Sequence, residues 1–186
     1  MKFNSMLIHT CCAPCALPII EYLLNEIQNK DIVLYFYNPN IFPKQEYIKR
    51  LEQVKKISEI YNLKLIIDEY EHDKWLEYLK KSLLHSLESY LENDKRCLNC
   101  FAFRLDKTVE FAKENGFKEF ATTLSINRFK DIKFINDYGF KIAKQNNLKY
   151  ITFDLEPFQA YQKEQELIKK HNLYSQKYCG CEFSIK

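Results

Sequence analysis

The chain has 186 residues, enough for one domain that buries a core without structural staples. Its 28 basic and 25 acidic side chains leave a formal charge of +3, which neither demands nor excludes a nucleic-acid partner. With only Gly116, Gly139 and Gly180 as glycines, no GxGxxG and no GxxxxGK[ST] can be written, which removes the common dinucleotide and P-loop readings.

Residues 6–10 are a short apolar run that stops at Cys11, and they read as a buried strand. Pro14 sits where a first helical turn can begin, and Ile19, Ile20, Leu23, Leu24 and Ile27 follow at helical spacing. The β-branched and aromatic run IVLYFY at 32–37 predicts a second strand, ended by Asn38-Pro39-Asn40. Residues 44–61 place Tyr47, Leu51, Val54, Ile57 and Ile60 on one helical face. A third strand is expected at 63–67 and a helix over 72–92. A further helix spans 97–115, closed by Gly116. A short strand at 119–122 precedes a helix at 129–145, interrupted or kinked near Gly139. A fifth strand at 150–154, a helix at 159–170 and an irregular tail at 171–186 complete the chain.

Strands alternating with helices predict an α/β fold: a single three-layer domain, residues 1–186, around a mainly parallel five-stranded sheet. Ligands of such sheets sit beyond the carboxyl ends of the strands, where Cys11, Asn38, Asp68, Thr122 and Asp154 all fall. The opening apolar run is too short for a secretory signal, and no run approaches the roughly 18 apolar residues of a membrane span. The expected location is therefore cytoplasmic, with no membrane partner, in a compartment where stable disulfides are rare.

The seven cysteines form three groups: Cys11, Cys12 and Cys15; Cys97 and Cys100; Cys179 and Cys181. An odd number leaves one thiol over in any complete disulfide framework. The first group lies on a strand-to-helix turn, where backbone N–H groups favour thiolates. One cysteine there would read as a small buried hydrophobe; three within five positions read as metal or redox chemistry. The CxxC at 97–100 suits a redox dithiol, half a zinc site or cluster ligands. Together the two groups supply enough thiolates for a four-cysteine zinc site or a [4Fe–4S] cluster. A CCxxC on a strand–helix turn is unlike the hairpins of a zinc knuckle, which favours iron–sulfur. The CxC at 179–181 is either a cycling dithiol or a further pair of metal ligands.

Other side chains carry blander expectations. His9 reads as a satisfied core histidine, Asp154 as a ligand or a cap, and the aromatic run 35–37 as core. Lys44, Lys49, Arg50 and Arg104 read as solvated helix faces in preference to phosphate contacts.

Five segments in order, HTCCAPC at 9–15, YFYNPNIFPKQEYIKR at 35–50, RCLNC with Arg104-Leu105 at 96–105, TTLS at 122–125 and YCGCEFS at 178–184, resemble the QueH-type epoxyqueuosine reductases. The resemblance runs over essentially the whole chain and implies a HUP-like fold. It implies an oxidoreductase, independent of cobalamin, that reduces epoxyqueuosine to queuosine in the anticodon loop of tRNA, the last step of queuosine biosynthesis. It further implies a [4Fe–4S] cluster on Cys11, Cys12, Cys97 and Cys100 and a redox-active pair at Cys179 and Cys181. An additional mononuclear iron has Cys15 as its candidate ligand. An electron-donor protein or other reductant is required, and Tyr178 or His9 is the candidate proton donor. The chain departs from the family pattern at Leu155-Glu156, where Phe-Arg is expected, at Ser175 for an arginine, and at Asn127 for a serine. The two missing arginines bear on tRNA phosphate contacts.

Three rivals fit less well. A non-catalytic zinc module that docks RNA would be indifferent to oxygen. An iron–sulfur tRNA sulfur-transfer enzyme would need ATP, against which the missing glycine-rich loop counts. A simple thiol–disulfide oxidoreductase leaves five cysteines unexplained.

Overall fold

In the computed structural model, which describes residues 5–26 and 31–185, the run predicted at 6–10 is strand β1, Ser5–His9. It is buried on both faces, as a central parallel strand must be, so its sequence shows no polar alternation. Strand β2, Asp31–Phe36, pairs with it on one side and β4, Glu119–Thr122, on the other. β3, Lys64–Ile67, and β5, Lys149–Tyr150, are the edges, and every pairing is parallel in the order β3-β2-β1-β4-β5.

Helices α1 (Ala13–Glu26), α2 (Lys44–Ile60) and α6 (Pro157–His171) cover one face of the sheet. Their apolar stripes, with Leu17, Ile20, Val54, Ile57 and Leu167, pack on Met6, Ile8, Leu34 and Phe36. The other face presents Leu7, Val33 and Tyr35 to α4 (Lys95–Glu114) and α5 (Ile132–Gln145), which bring Phe101, Leu105, Ile135 and Ile142. The predicted three-layer architecture is thus the observed one. A smaller cluster, in which α3 (His72–Ser82) contributes Trp75 and Leu79, extends it at one end. No helix among the described residues is long and apolar enough to cross a membrane.

Several expected elements end elsewhere. The helix expected over 72–92 stops at Ser82; Leu83 is extended, Leu84 is 96% exposed, and only a single 3-10 turn at Leu87–Ser89 follows. Leu87 and Tyr90 are nevertheless buried, and their carbonyls accept from Arg96 Nη1 at 2.6 and 2.7 Å instead of from a helical N–H. The fifth strand is two residues long, with one further ladder bond from Ile151 N–H to the Phe120 carbonyl. α5 starts later than expected, at Ile132, because the Asp131 carboxylate caps the Phe134 N–H at 2.9 Å. α4 starts earlier, with Asp94 as its cap, and Glu156 caps α6, leaving Asp154 exposed and in no capping role. Ile27, expected on the apolar stripe of α1, lies outside the described residues, as does Lys186 at the end of the tail.

Gly139 does not break α5. It is glycine because the Tyr150 ring lies against the helix there: a Cβ would stand 2.7 Å from Cζ. Alanine at this position would gain about 1 kcal/mol of helix propensity. The forced overpacking should outweigh that gain, so Gly139→Ala is expected to destabilise by up to about 2 kcal/mol net. Urea unfolding checks this, and Gly139→Ala/Tyr150→Leu should lose less than the two single changes summed.

Candidate active site

β1 runs out at His9, the Thr10 N–H still bonds the Tyr35 carbonyl at 2.8 Å, and α1 begins four residues after the strand ends. Cys11 and Cys12 occupy the turn and Cys15 the first turn of α1. Their three sulfurs lie within 4.8 Å of one another and are buried. Each sulfur has its own polar donor. The Thr123 hydroxyl donates to Cys11 Sγ at 3.2 Å, Gln176 Nε2 to Cys12 Sγ at 3.0 Å, and Asn127 Nδ2 to Cys15 Sγ at 3.7 Å. Hydrogen bonds from Cys12 and Cys15 hold the Cys11 thiol well below the usual range, helped by the nearby Lys130 and Arg104 charges. The same sharing pushes Cys12 up to about 12 and Cys15 well above the usual range. Of the three, Cys11 is the thiol whose ionisation its neighbours favour.

His9 is the floor beneath this turn. Its Nε2 meets the Tyr37 carbonyl at 3.1 Å and its Nδ1 the Thr122 hydroxyl at 2.8 Å. Since a carbonyl only accepts, Nε2 carries the proton and Nδ1 accepts from Thr122. Burial, with Arg104 adding repulsion, lowers its pKa to about 3. It is the satisfied core histidine expected from the sequence, and its proton is committed to a carbonyl.

The turn opens into a cavity of ≈ 380 Å³. Cys97, from the first turn of α4, and Cys179, from the tail, line it together with Cys11, Cys12 and Cys15. Cys100 and Cys181 stand behind that second wall, packed with Trp75, Leu79 and Leu87. Burial raises the Cys100 thiol to about 12 and the Cys181 thiol to about 11. The structure thus divides the seven cysteines between two walls. Cys11, Cys12 and Cys15 form one; Cys97, Cys100, Cys179 and Cys181 neighbour one another in the other.

Two arginines expected on solvated faces are buried instead. Arg104, one and two turns beyond Cys100 and Cys97 on α4, is 2% exposed and donates to Asn38 Oδ1 at 2.6 Å. Asn38 in turn donates to the Thr10 carbonyl at 2.9 Å. Arg50 is 3% exposed: its Nε pairs with Glu46, Nη1 donates to the Cys179 carbonyl at 2.9 Å and Nη2 to the Tyr178 carbonyl at 3.0 Å. The tail reaches this clamp because Gly180 adopts φ +139°, where a Cβ would meet Arg50 Nη1 at 3.0 Å. Tyr178 lines the cavity, and its hydroxyl donates to the Phe42 carbonyl.

Four cationic side chains, Arg50, Arg104, Lys130 and Lys177, line the cavity against two carboxylates, Glu92 and Glu164. Burial alone would lower the Lys130 ammonium, but the thiols of Cys179, Cys15, Cys11 and Cys12 raise it overall. Burial, reinforced by Cys11, raises the Glu164 carboxyl to about 7. Of the other strand-end residues, Thr122 orients His9, while Asp68 accepts the Tyr35 hydroxyl and does not line the cavity. Thr123, Gln176, Lys130 and Glu164 are not legible in the sequence as site residues. Each is a single polar side chain brought in by tertiary contact. Arg104 has a signal, since it shares a helical face with Cys97 and Cys100.

Whether a thiolate-bound cluster suits this space can be judged from the lining itself. Asn40 Oδ1, Arg104 Nε and Gln176 Oε1 are buried in the lining residues without a partner. Soft thiol donors on both walls, excess positive charge and orphaned polar atoms fit an anionic, sulfur-ligated group.

The chain matches the family model described as Epoxyqueuosine reductase QueH over residues 6–186. Curated relatives named Epoxyqueuosine reductase QueH include those of Acinetobacter baylyi, 34% identical over 184 residues, Streptococcus pyogenes, 37% over 185, and Thermotoga maritima, 34% over 185. Each alignment covers 98% of this chain, and 81%, 71% and 91% of the respective relative. Among solved structures, the U34-tRNA thiolase NcsA from Methanococcus maripaludis with its [4Fe-4S] cluster superposes with a TM-score of 0.57. At 16% identity it shares the fold; the match covers all of this chain and 63% of the thiolase.

The Arg50 clamp yields a direct test. Arg50→Met should free the tail and speed tryptic cleavage after Lys177 by about ten-fold or more, since losing charged hydrogen bonds costs roughly 1.5–3 kcal/mol each. Arg50→Lys should not restore protection, because one ammonium cannot reproduce the planar fork. Limited proteolysis followed by mass spectrometry reads both.

Proposed function

The chain belongs to the epoxyqueuosine reductase QueH family, and we propose that it reduces epoxyqueuosine in tRNA to queuosine inside the cavity that its thiols line. It is an oxidoreductase by that membership. The observation that carries the placement is that all three cysteine groups contribute a lining residue to one cavity whose lining is predominantly cationic.

The residues that would hold a [4Fe–4S] cluster are Cys11 and Cys12 on one wall with Cys97 and Cys100 on the other; Cys15 would be left for a further iron. When bound, such a group supplies one-electron transfer, and an added iron supplies a Lewis acid. The chain's own residues account for the rest. Thr123, Gln176 and Asn127 donate to the first three sulfurs, and Lys130 and Arg104 offset the charge that thiolates bring into a buried site.

Deoxygenation breaks both C–O bonds of the epoxide, forms a C=C bond and releases the oxygen as water, consuming two electrons and two protons. Oxidation of Cys179 and Cys181 to a disulfide releases two electrons and two protons, so the pair balances one turnover. Cys179 is exposed and Cys181 buried, which makes Cys179 the sulfur that an external thiol or electron-donor protein would reach. Such a reductant then restores both thiols. The substrate base must enter the cavity, so the tRNA is read at an unpaired anticodon-loop nucleotide. Cytoplasmic tRNA is the substrate pool this reading requires.

Two groups line the cavity as proton donors for the departing oxygen. The Tyr178 hydroxyl is committed to the Phe42 carbonyl, whereas Glu164, held at about 7, is partly protonated at neutral pH. We therefore place Glu164 ahead of Tyr178. At neutral pH, Glu164→Gln should lower kcat about 100-fold, the scale of general-acid catalysis, with Tyr178→Phe nearly unchanged. The reverse pattern hands the role to Tyr178.

The assignment as a whole is tested by anaerobic preparation, iron and sulfide analysis, and nucleoside profiling of tRNA from a deletion strain complemented with this chain. Iron and sulfide in near-equal amounts, lost in Cys97→Ala, with conversion of epoxyqueuosine, are expected. Bound zinc with no iron would sink the cluster; unchanged epoxyqueuosine would sink the activity.

A further inference from the structure

The connection from β4 to α5 carries Asn127, Arg128, Phe129 and Lys130 past the cavity. Phe129 lines the cavity and is 66% exposed, so its ring is reachable from solvent. The Arg128 guanidinium lies over this ring at 4.7 Å and over the ring of Tyr161, also cavity-lining, at 4.4 Å. Phe158, 54% exposed, precedes Tyr161 by one turn on the same face of α6. The loop is fixed. Asn127 Oδ1 accepts the Phe129 N–H at 3.0 Å, and Asn93 Nδ2 donates to the Phe129 carbonyl at 2.9 Å.

We propose that Phe129, Arg128 and Tyr161 form a stacking platform for unpaired nucleotides flanking the one that enters the cavity. The proposal rests on the tRNA reading above and deepens it. Aromatic and guanidinium planes held at a cavity that is lined by more cations than carboxylates match the two components of a single strand, flat bases and anionic phosphates. A duplex offers no free base face to these planes, so the surface selects a loop. Ser175, where an arginine is expected, lines the cavity together with Lys177, which brings positive charge to the same lining.

The test uses the full chain prepared anaerobically. An unmodified anticodon stem-loop RNA is the binding probe, read by fluorescence anisotropy, and epoxyqueuosine-containing tRNA is the substrate. Phe129→Ala should weaken RNA binding roughly ten-fold, within the range of one base–aromatic stack, and raise KM similarly with kcat unchanged. Phe129→Trp should restore both. Lys177→Gln should lower the salt dependence by about one unit of slope, which Phe129→Ala should leave alone. Leu84→Ala, an equally apolar surface change away from the cavity, should behave as the parent. Wild-type affinity in both Phe129→Ala and Tyr161→Leu, or equal competition by a fully paired RNA, overturns the platform. If the parent chain converts epoxyqueuosine and Phe129→Ala matches it, the platform alone fails. If the parent converts none while Phe129→Ala still loses RNA binding, the activity fails and the platform stands.

Discussion

Everything at this site depends on the register between β1 and β4. The two strands pair in parallel with His9 opposite Thr122, so Cys11, two residues on, and Thr123, one residue on, come together where the sheet ends. The Cys11 N–H then meets Thr123 Oγ1 at 3.0 Å, and the same hydroxyl donates to Cys11 Sγ at 3.2 Å. A slip of one residue would turn Thr122 away from His9 and Thr123 away from the sulfur, because side chains alternate faces along a strand. The strand order supplies the space as well. β1 connects onward to β2 on one side and pairs with β4 on the other, which leaves a crevice beyond their carboxyl ends.

Burial sets the electrostatics of that crevice. Thiols in a dry wall resist ionisation, as the raised values at Cys100 and Cys181 show. Cys11 escapes because hydrogen bonds and cations converge on it. The cations in turn are tolerated in the interior because each has an answer. Arg50 bonds Glu46 and two carbonyls, Arg104 bonds Asn38, and Lys130 faces sulfur. A guanidinium buried at 2–3% exposure is thus a structural strut and a source of positive potential at once.

The sheet and its helices are legible because each carries its own local signal: the apolar runs of β1 and β2, the stripe Tyr47–Val54–Ile57 of α2, the Gly116 that closes α4. The failures share a cause too. Leu83, Leu87 and Tyr90 keep helical spacing, so the sequence suggests a helix, whereas the chain buries Leu87 and Tyr90 from a largely non-helical stretch whose carbonyls accept from Arg96. Gly139 looks like a break because the Tyr150 ring that requires it comes from another element. The cysteines are visible as ligand-like groups, but their division between two walls is not, since spacing along a chain does not tell which helix faces which side of a cavity. Arg50 looks solvated in the sequence for the same reason. Its polar partners at 178 and 179 lie 128 and 129 residues away.

That long-range clamp explains why the tail belongs to the site rather than merely following it. The Phe42 N–H takes the Gly180 carbonyl at 2.8 Å, Arg50 takes the carbonyls on either side of the Cys179 N–Cα–C unit, and Gly180 supplies the backbone angle that lets the strand of contacts close. Fixing the backbone from three directions leaves the two sulfurs of the CxC in unlike surroundings. Cys179 reaches solvent and the cavity, and Cys181 lies beside Cys100 in an apolar cluster. A pair held this way has one sulfur open to an incoming thiolate and one shielded from it. The asymmetry follows from Arg50 and Gly180, which hold no metal and donate no electrons.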